Sequence, residues 1–153
     1  KTATCNHLMK LLQPSVFLDG DWCWNMNPFV VNDETKKMVL KNICFILNSF
    51  LNCTEYEYII FCWVMHKKEI MDGVIDNLVL KNTKTYKFTL SITEAALTER
   101  LMKDVSRNER NPDIIERSVA RIKLYEHINT TKIDVSNINP AQVSKEIAKL
   151  IRG

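Results

Sequence analysis

The chain has 153 residues, of which 46% are hydrophobic and 25% are charged, so it can bury a core beneath a charged surface. Its 21 Lys and Arg only slightly exceed its 18 Asp and Glu, which gives a net charge of +3. The sequence has no large basic block of the kind typical of nucleic-acid-binding proteins. The longest apolar runs, such as residues 59–65, are too short to span a bilayer. We therefore expect one domain over residues 1–153, with neither a nucleic-acid polymer nor a membrane as partner.

Cysteine usage and the first residues bear on the cellular compartment. The five cysteines are odd in number and include no C-x-x-C pair. No positive segment followed by an apolar stretch and a cleavage site opens the sequence. We expect a cytoplasmic protein with reduced, buried thiols, present as a monomer or a homodimer.

Helix and strand patterns alternate along the chain. Apolar residues at helical spacing are separated by short β-prone runs, and N-cap residues or prolines mark several helix starts. In chain order, the pattern predicts a helix at 2–12, a strand at 15–18, a helix from Asn32 or Asp33 to Phe50, a strand at 58–64, a helix at 67–80, a strand at 86–90, a helix opened by a Ser91-x-x-Glu94 capping box, a helix from Asn111-Pro112, a strand at 132–135 and a helix from Asn139-Pro140.

This order predicts an α/β fold with one open sheet. The run at 58–64 has no polar alternation, as expected for a central strand that is covered on both faces. Alternating strands and helices without a change of composition predict an open parallel sheet with helices on both faces. Such sheets bind ligands beyond the carboxyl ends of their strands, which directs attention to residues 19–24, 65–66, Ser91 and 134–136.

Two short motifs near the start resemble those of P-loop kinases. Lys1-Thr2, followed by an amphipathic helix, resembles the last two residues of the phosphate loop G-x-x-x-x-G-K-[ST]. Residues 17–21, Phe-Leu-Asp-Gly-Asp, resemble the strand-two signature of shikimate, gluconate, adenylylsulfate and antibiotic kinases. The resemblance implies a P-loop NTPase fold of the nucleotide-kinase-like type.

The resemblance also implies a role for each of these residues. Lys1 would reach the β and γ phosphates of ATP, and the Thr2 hydroxyl would bind Mg²⁺. Asp21 would take the acceptor's proton or help to hold Mg²⁺, and Asp19 would contact the substrate. Because the strand at 59–63 is not followed by the usual magnesium-binding aspartate, the metal is left to Thr2, Asp21 and water. The alternative is a plain Asp-Gly turn in which Asp19 bonds its own backbone.

Trp22 and Trp24 lie in an aromatic stretch at 22–29, directly after the acidic turn. The resembled kinases place part of the acceptor pocket here, and aromatic walls suit a ring or an apolar substrate. Two tryptophans beside a helix can equally fill a core or clamp a loop. Both interpretations stay open at this point.

Arg100, Arg107 and Arg110 lie where the resembled kinases carry their lid. The resemblance places Arg100 near the adenine and the other two across the phosphates, where guanidinium groups suit a transferring phosphoryl group. Acidic residues alternate with these arginines, so a solvated helix face is the alternative.

Residues 132–136, Lys-Ile-Asp-Val-Ser, resemble the end of a strand that borders the adenine in such kinases. The alternative interpretation is a strand that ends in a capping turn.

Taken together, the resemblance implies an ATP-dependent kinase that transfers the γ-phosphoryl group to a small-molecule or nucleotide acceptor, with ATP and Mg²⁺ as cofactors. The alternatives are a nucleotide-binding regulatory protein without transferase activity and an interaction domain that binds no nucleotide. The glycines and the strand of a complete phosphate loop do not precede Lys1, and only three glycines occur in all. We therefore expect a domain truncated at its N-terminus, with about a dozen further residues before Lys1 in the gene product.

Overall fold

The computed structural model describes residues 1–109 and 111–153. They form two compact units, the first made of Lys1–Thr85 with Pro140–Gly153 and the second of Tyr86–Asn139. The sequence predicts that both units belong to one domain, and this stays a prediction. Within these residues, no helix combines the length and the apolar character needed to cross a bilayer.

The described residues form a mixed α/β fold, as predicted. In chain order the elements are α1 (Thr2–Leu11), β1 (Ser15–Asp19), a 3₁₀ helix (Gly20–Trp24), α2 (Asp33–Leu51), β2 (Tyr58–Cys62), α3 (Lys68–Ile75), β3 (Phe88–Ser91), α4 (Glu94–Ser106), α5 (Ile114–Ile122), a second 3₁₀ helix (Lys123–Tyr125), β4 (Thr131–Asp134) and α6 (Pro140–Arg152). The elements from β3 to β4 belong to the second unit.

The strands are parallel, and they pair two by two. In the first unit β1 pairs with β2, which places Asp19 opposite Cys62. In the second unit β3 pairs with β4, which places Ser91 opposite Asp134. One larger open sheet was expected, whereas each sheet of the described chain has two strands. The expectation of a central strand at 58–64 is corrected accordingly, because β2 has β1 as its one partner and three of its five residues are only half-buried.

Side chains alternate between the two faces of the β1–β2 pair, and helices cover both faces. On one face, Leu18 belongs to the core cluster, which is completed by the helix residues Val39, Ile43, Leu47 and Val74. On the other face, Asp19 accepts a hydrogen bond from the α1 residue Thr2, and Cys62 is the register partner of Asp19. The pleat of two short strands therefore separates an apolar core from a face that carries polar and thiol groups.

The start of α2 agrees with the sequence prediction. Asn32 is its N-cap, and its side chain accepts a hydrogen bond from the Thr35 N–H at 2.9 Å. The Thr35 hydroxyl in turn accepts one from the Asn32 N–H at 3.0 Å, which completes a capping box. This cap fixes where the loop after the first 3₁₀ helix enters α2.

The start of α4 differs from the prediction. Ser91 does not cap this helix, because it is the last residue of β3 and its hydroxyl donates to the Ile133 carbonyl at 3.2 Å. Thr93 is the N-cap instead, and its hydroxyl accepts a hydrogen bond from the Ala96 N–H at 3.3 Å. Because β3 pairs with β4 as far as Ser91, α4 is capped two residues later than the local spacing predicts.

Candidate active site

Thr2 and Asp19, one from each of the two N-terminal motifs, meet at the carboxyl end of β1. The Thr2 hydroxyl donates a hydrogen bond to Asp19 Oδ2, with 2.5 Å between the oxygens. Thr2 is the first residue of α1, and Lys1 precedes it as the N-cap. Asp19 ends β1 and has 3% of its surface exposed. A hydroxyl and a buried carboxylate thus lie together at the strand end where α/β folds bind ligands.

The second oxygen of Asp19 is also bonded. Oδ1 accepts a hydrogen bond from the backbone N–H of Asp21 at 3.0 Å and so caps the first 3₁₀ helix. The turn considered as the alternative is therefore present, together with the contact to Thr2. Asp21 itself is exposed. The two acids of the motif consequently have different surroundings, one buried and bonded and the other open to solvent.

The N-terminus of α1 suits an anion. Its first turn contains no Asp or Glu, and no side chain caps its backbone N–H groups. Unbonded N–H groups and the helix dipole favour negative charge at this end of a helix, and the exposed Lys1 adds a cation. A phosphate group bound here would lie close to the Asp19 carboxylate, so a cation between the two anions would lower their repulsion.

Gly20 has a packing reason to be glycine. A Cβ added at Gly20 would lie 2.5 Å from Cγ of Trp63, far inside van der Waals contact. Trp63 follows β2 and packs against the core cluster. The middle residue of the Asp-Gly-Asp turn thus gives the indole room, while its neighbours carry the carboxylates.

The two tryptophans after the turn have different surroundings. Trp22 is 57% exposed, and its ring meets Phe17 edge-on with 5.3 Å between ring centroids. Trp24 is half-buried, packs against the core cluster and lies 6.0 Å from the Phe29 ring. Trp24 therefore matches the core-filling interpretation, whereas Trp22 offers a ring face beside the acidic turn. Contact of either residue with a substrate stays a prediction.

Two cysteines lie directly beside Asp19. Cys62 is its register partner on β2, and Cys5 lies on α1, three residues after Thr2. Interaction with Cys5 and burial raise the pKa of Cys62, while interaction with Cys62 lowers the pKa of Cys5. The sequence predicts buried thiols but not this pairing. The signal that could have found it is the i, i+3 spacing of Thr2 and Cys5, which places both on one side of α1.

Arg100 and Arg107, two of the predicted lid arginines, belong to the second unit. The Arg100 guanidinium donates through one nitrogen to three backbone carbonyls after β4, those of Val135, Ser136 and Ile138, at 2.5, 3.1 and 3.4 Å. Arg107 is exposed at the C-cap of α4, and Arg110 lies outside the described residues. Arg100 and residues 132–136, both expected near an adenine, are therefore neighbours.

The end of β4 forms a capping turn. Asp134 Oδ1 accepts hydrogen bonds from the hydroxyl and the N–H of Ser136, at 2.6 and 2.9 Å, and these bonds lower the pKa of Asp134. The Ser136 hydroxyl also accepts a hydrogen bond from the Thr93 N–H at 2.9 Å. The Asp134 and Ser136 side chains thus form the capping turn that the sequence analysis gives as the alternative for residues 132–136.

Oxygen groups of the two motifs are of the kind that a hard cation binds. Mg²⁺ prefers oxygen ligands and usually keeps several waters, so one or two protein oxygens together with substrate phosphates suffice. The Thr2 hydroxyl and the exposed Asp21 carboxylate are of this kind. Among the described residues, no group of three or more His, Cys, Asp or Glu side chains is arranged around a common metal position.

A shallow, open depression lies at the other end of β1. It is lined by Met9, Lys10, Gln13, Pro14, Ser15 and Tyr56. None of the residues that the sequence selects for catalysis or binding borders it. The residues of the two motifs and this depression therefore lie at opposite ends of β1.

Comparison with protein-family models and with curated proteins gives no match. Among solved structures, the chain is similar to the tunicamycin resistance protein of Deinococcus radiodurans, with a TM-score of 0.64 and 17% sequence identity, covering 97% of this chain and 89% of that chain. At this identity the similarity concerns the fold. The chain therefore shares its α/β fold with a tunicamycin resistance protein.

Proposed function

We propose that the chain is an ATP-dependent phosphotransferase that passes the γ-phosphoryl group to a small-molecule or nucleotide acceptor. The hydrogen bond between Thr2 and Asp19 carries the proposal, because it joins the two motifs on which the kinase resemblance rests. The similarity of fold to a tunicamycin resistance protein agrees with it. A cytoplasmic location and a monomeric or homodimeric state belong to the same proposal.

The N-terminus of α1 would bind the phosphates of ATP. Lys1 and the uncapped N–H groups of the first turn supply positive charge to phosphate oxygens. Asp19 holds the Thr2 hydroxyl in place through its hydrogen bond, so the hydroxyl does not have to be ordered when the ligand arrives. The Thr2 hydroxyl and the Asp21 carboxylate would hold Mg²⁺, which would supply positive charge to the phosphates.

Asp21 would act on the acceptor. Its carboxylate is exposed beside the turn, whereas both oxygens of Asp19 are already bonded. As the acceptor oxygen bonds to the γ phosphorus, its proton would pass to Asp21, and the bond between that phosphorus and the ADP oxygen would break. We assign to Asp19 the positioning of Thr2 and to the exposed ring of Trp22 a contact with the acceptor.

The roles that the kinase resemblance gives to the arginines are part of the same proposal. As the resemblance implies, Arg100 and the turn after β4 would border the adenine; the guanidinium joins α4 to that turn. Arg107 and Arg110 would stabilise the charge of the transferring phosphoryl group.

The first test is binding of ATP and Mg²⁺ by titration calorimetry to the protein with its native N-terminus. Wild type should bind, and Lys1→Ala should lose most of the affinity. Lys10→Ala is the matched control, because Lys10 is exposed on the same helix but at its far end. Absence of binding by the wild-type protein would remove the basis of the kinase proposal.

The second test separates transfer from binding. Asp21→Asn should abolish phosphoryl transfer, measured as ADP release in the presence of an acceptor, and should keep ATP binding. Asp76→Asn, which changes an exposed acid at the C-cap of α3, should leave both unchanged. Binding of ATP with no acceptor-dependent ADP release in a broad screen would favour a nucleotide-binding regulatory protein.

A further inference from the structure

The helix α2 has a second apolar side, which is open to solvent. Its buried side contributes to the core cluster with Val39, Ile43 and Leu47. On the side that faces solvent, Met38 is 44% exposed and Phe45 is 72% exposed. The two are seven residues apart, which is nearly two helical turns, so they lie on the same side of α2. Val31, 54% exposed, comes another seven residues before Met38 and directly precedes the N-cap of α2.

Further apolar side chains extend this exposed side at both ends of α2. The Val79 N–H donates a hydrogen bond to Asn48 Oδ1 at 2.9 Å, and Asn48 lies three residues after Phe45. Val79, which is also exposed, is therefore beside the C-terminal half of α2. Phe29 is exposed too and precedes α2. We call these exposed apolar residues the α2 face: Phe29, Val31, Met38, Phe45 and Val79.

Two charges of opposite sign accompany the α2 face. Glu34 lies four residues before Met38 and Lys41 lies three residues after it, so all three share one side of α2. The two charged side chains are exposed, and they are about 10 Å apart along the helix, too far to pair with each other. Within residues 1–109 and 111–153, neither of them forms an ion pair. Both charges are therefore available to a partner molecule.

We propose that the α2 face binds a second copy of this chain, with the two α2 helices antiparallel and Met38 on the two-fold axis. Such an axis brings the same patch of both copies together, so the patch must complement itself. Phe45 of one copy then meets Val31 of the other, because both are seven residues from Met38. Glu34 likewise comes within one residue of Lys41 of the other copy, and each contact occurs twice. In a parallel pair, like charges would face each other, so the charge pattern selects the antiparallel pair.

The dimer should be weak. The 19 residues of α2 span about 28 Å. A standard protein interface buries about 800 Å² per partner, more than one exposed side of a helix of this length provides. Phe29 and Val79 enlarge the α2 face only at its ends, so we expect a dissociation constant on the order of micromolar. The proposal does not rest on phosphoryl transfer, because none of the residues assigned to that reaction belongs to the α2 face.

Sedimentation equilibrium of the full-length protein tests the dimer, over total concentrations from about 1 μM to about 1 mM. Wild type should change from monomer to dimer across this range, and Phe45→Glu should weaken the dimer about tenfold or more. Met102→Glu is the matched control, because Met102 is a similarly exposed apolar residue on α4. Both variants should keep the circular dichroism of wild type, since both side chains are exposed. A wild-type protein that stays monomeric throughout, or a dimer that Phe45→Glu does not weaken, would overturn the proposal.

Charge reversal tests the antiparallel arrangement of the two helices. Glu34→Lys places two lysines opposite each other at both contacts, and Lys41→Glu does the same with two glutamates. At low salt, where exposed charges are little screened, each variant alone should dimerise about tenfold more weakly than wild type. An equal mixture of the two variants should regain the wild-type affinity as a mixed dimer, in which each lysine again meets a glutamate. A mixture that associates no more tightly than its components would exclude this arrangement.

Discussion

The Trp63 indole occupies the space that a side chain on Gly20 would need, although the two residues are 43 positions apart. Gly20→Ala should therefore force the indole to move and lower the free energy of unfolding by about 1–3 kcal/mol, the usual cost of overpacking. Urea denaturation followed by tryptophan fluorescence measures this change. Gly73→Ala is the matched control, because its Cβ would meet the Leu40 side chain at an ordinary 3.6 Å. That variant lies inside α3 and should gain up to about 1 kcal/mol. Equal effects of the two substitutions would contradict the packing account of Gly20.

The hydroxyl of Thr2 should matter to stability even without a ligand. Thr2→Val keeps the shape of the side chain but removes the donor to Asp19, which stays buried with one partner fewer. A hydrogen bond to a charged group contributes about 1.5–3 kcal/mol, and we expect a loss near the lower end, because Thr2 itself is exposed. Thermal and urea unfolding measure the loss. Thr2→Ser restores the donor and should recover most of the stability; a serine variant as unstable as the valine variant would exclude the hydrogen bond as the cause.

Arg100 should hold the segment after β4 in place. Its guanidinium reaches three carbonyls between residues 135 and 138, a geometry that a lysine ammonium does not reproduce. In Arg100→Lys, hydrogen exchange of the amides in this segment should become faster, while the amides of α1 should not change. Lys103→Arg, on the exposed side of the same helix, serves as the control. Unchanged exchange in the Arg100 variant would mean that the carbonyl contacts do not order the turn.

The turn at the end of β4 should show a measurable pH signature. The hydroxyl and the N–H of Ser136 stabilise the charged form of Asp134, which lowers its pKa in the folded state. Because the folded pKa is the lower one, this contribution to stability is present above the unfolded pKa and is lost as the pH falls through the folded pKa. Carbon-detected NMR titration should place Asp134 below an ordinary aspartate in wild type and closer to one in Ser136→Ala. An Asp134 pKa that does not rise in the variant would refute the role of the hydroxyl.

Local patterns predicted much of the fold, and contacts distant in sequence decided the rest. The i, i+3 and i, i+4 spacing and the Asn32 cap located α2 correctly, because both are properties of neighbouring residues. The Ser91-x-x-Glu94 spacing predicts that Ser91 is the N-cap of α4. Thr93 is the N-cap instead, because pairing with β4 extends β3 to Ser91.

The candidate site shows the same division. Asp19 was placed at a strand end from its own segment, whereas its contacts with Thr2 and Cys62 depend on how α1 and β2 pack against β1. The number of strands in each sheet is likewise a property of pairing between distant segments, which alternation of hydrophobicity along one strand does not specify.

The orientation of the two acids in the Asp-Gly-Asp turn has a consequence for how the protein tolerates mutation in a cell. Asp19 points inward and bonds to two partners, so its loss leaves unpaired groups in a buried place and would reduce the amount of folded protein. Asp21 points outward, and its side chain can change without disturbing the packing. If the cellular abundance and the activity of variants were both measured, Asp19 variants would have low abundance. Asp21 variants would have normal abundance but no activity.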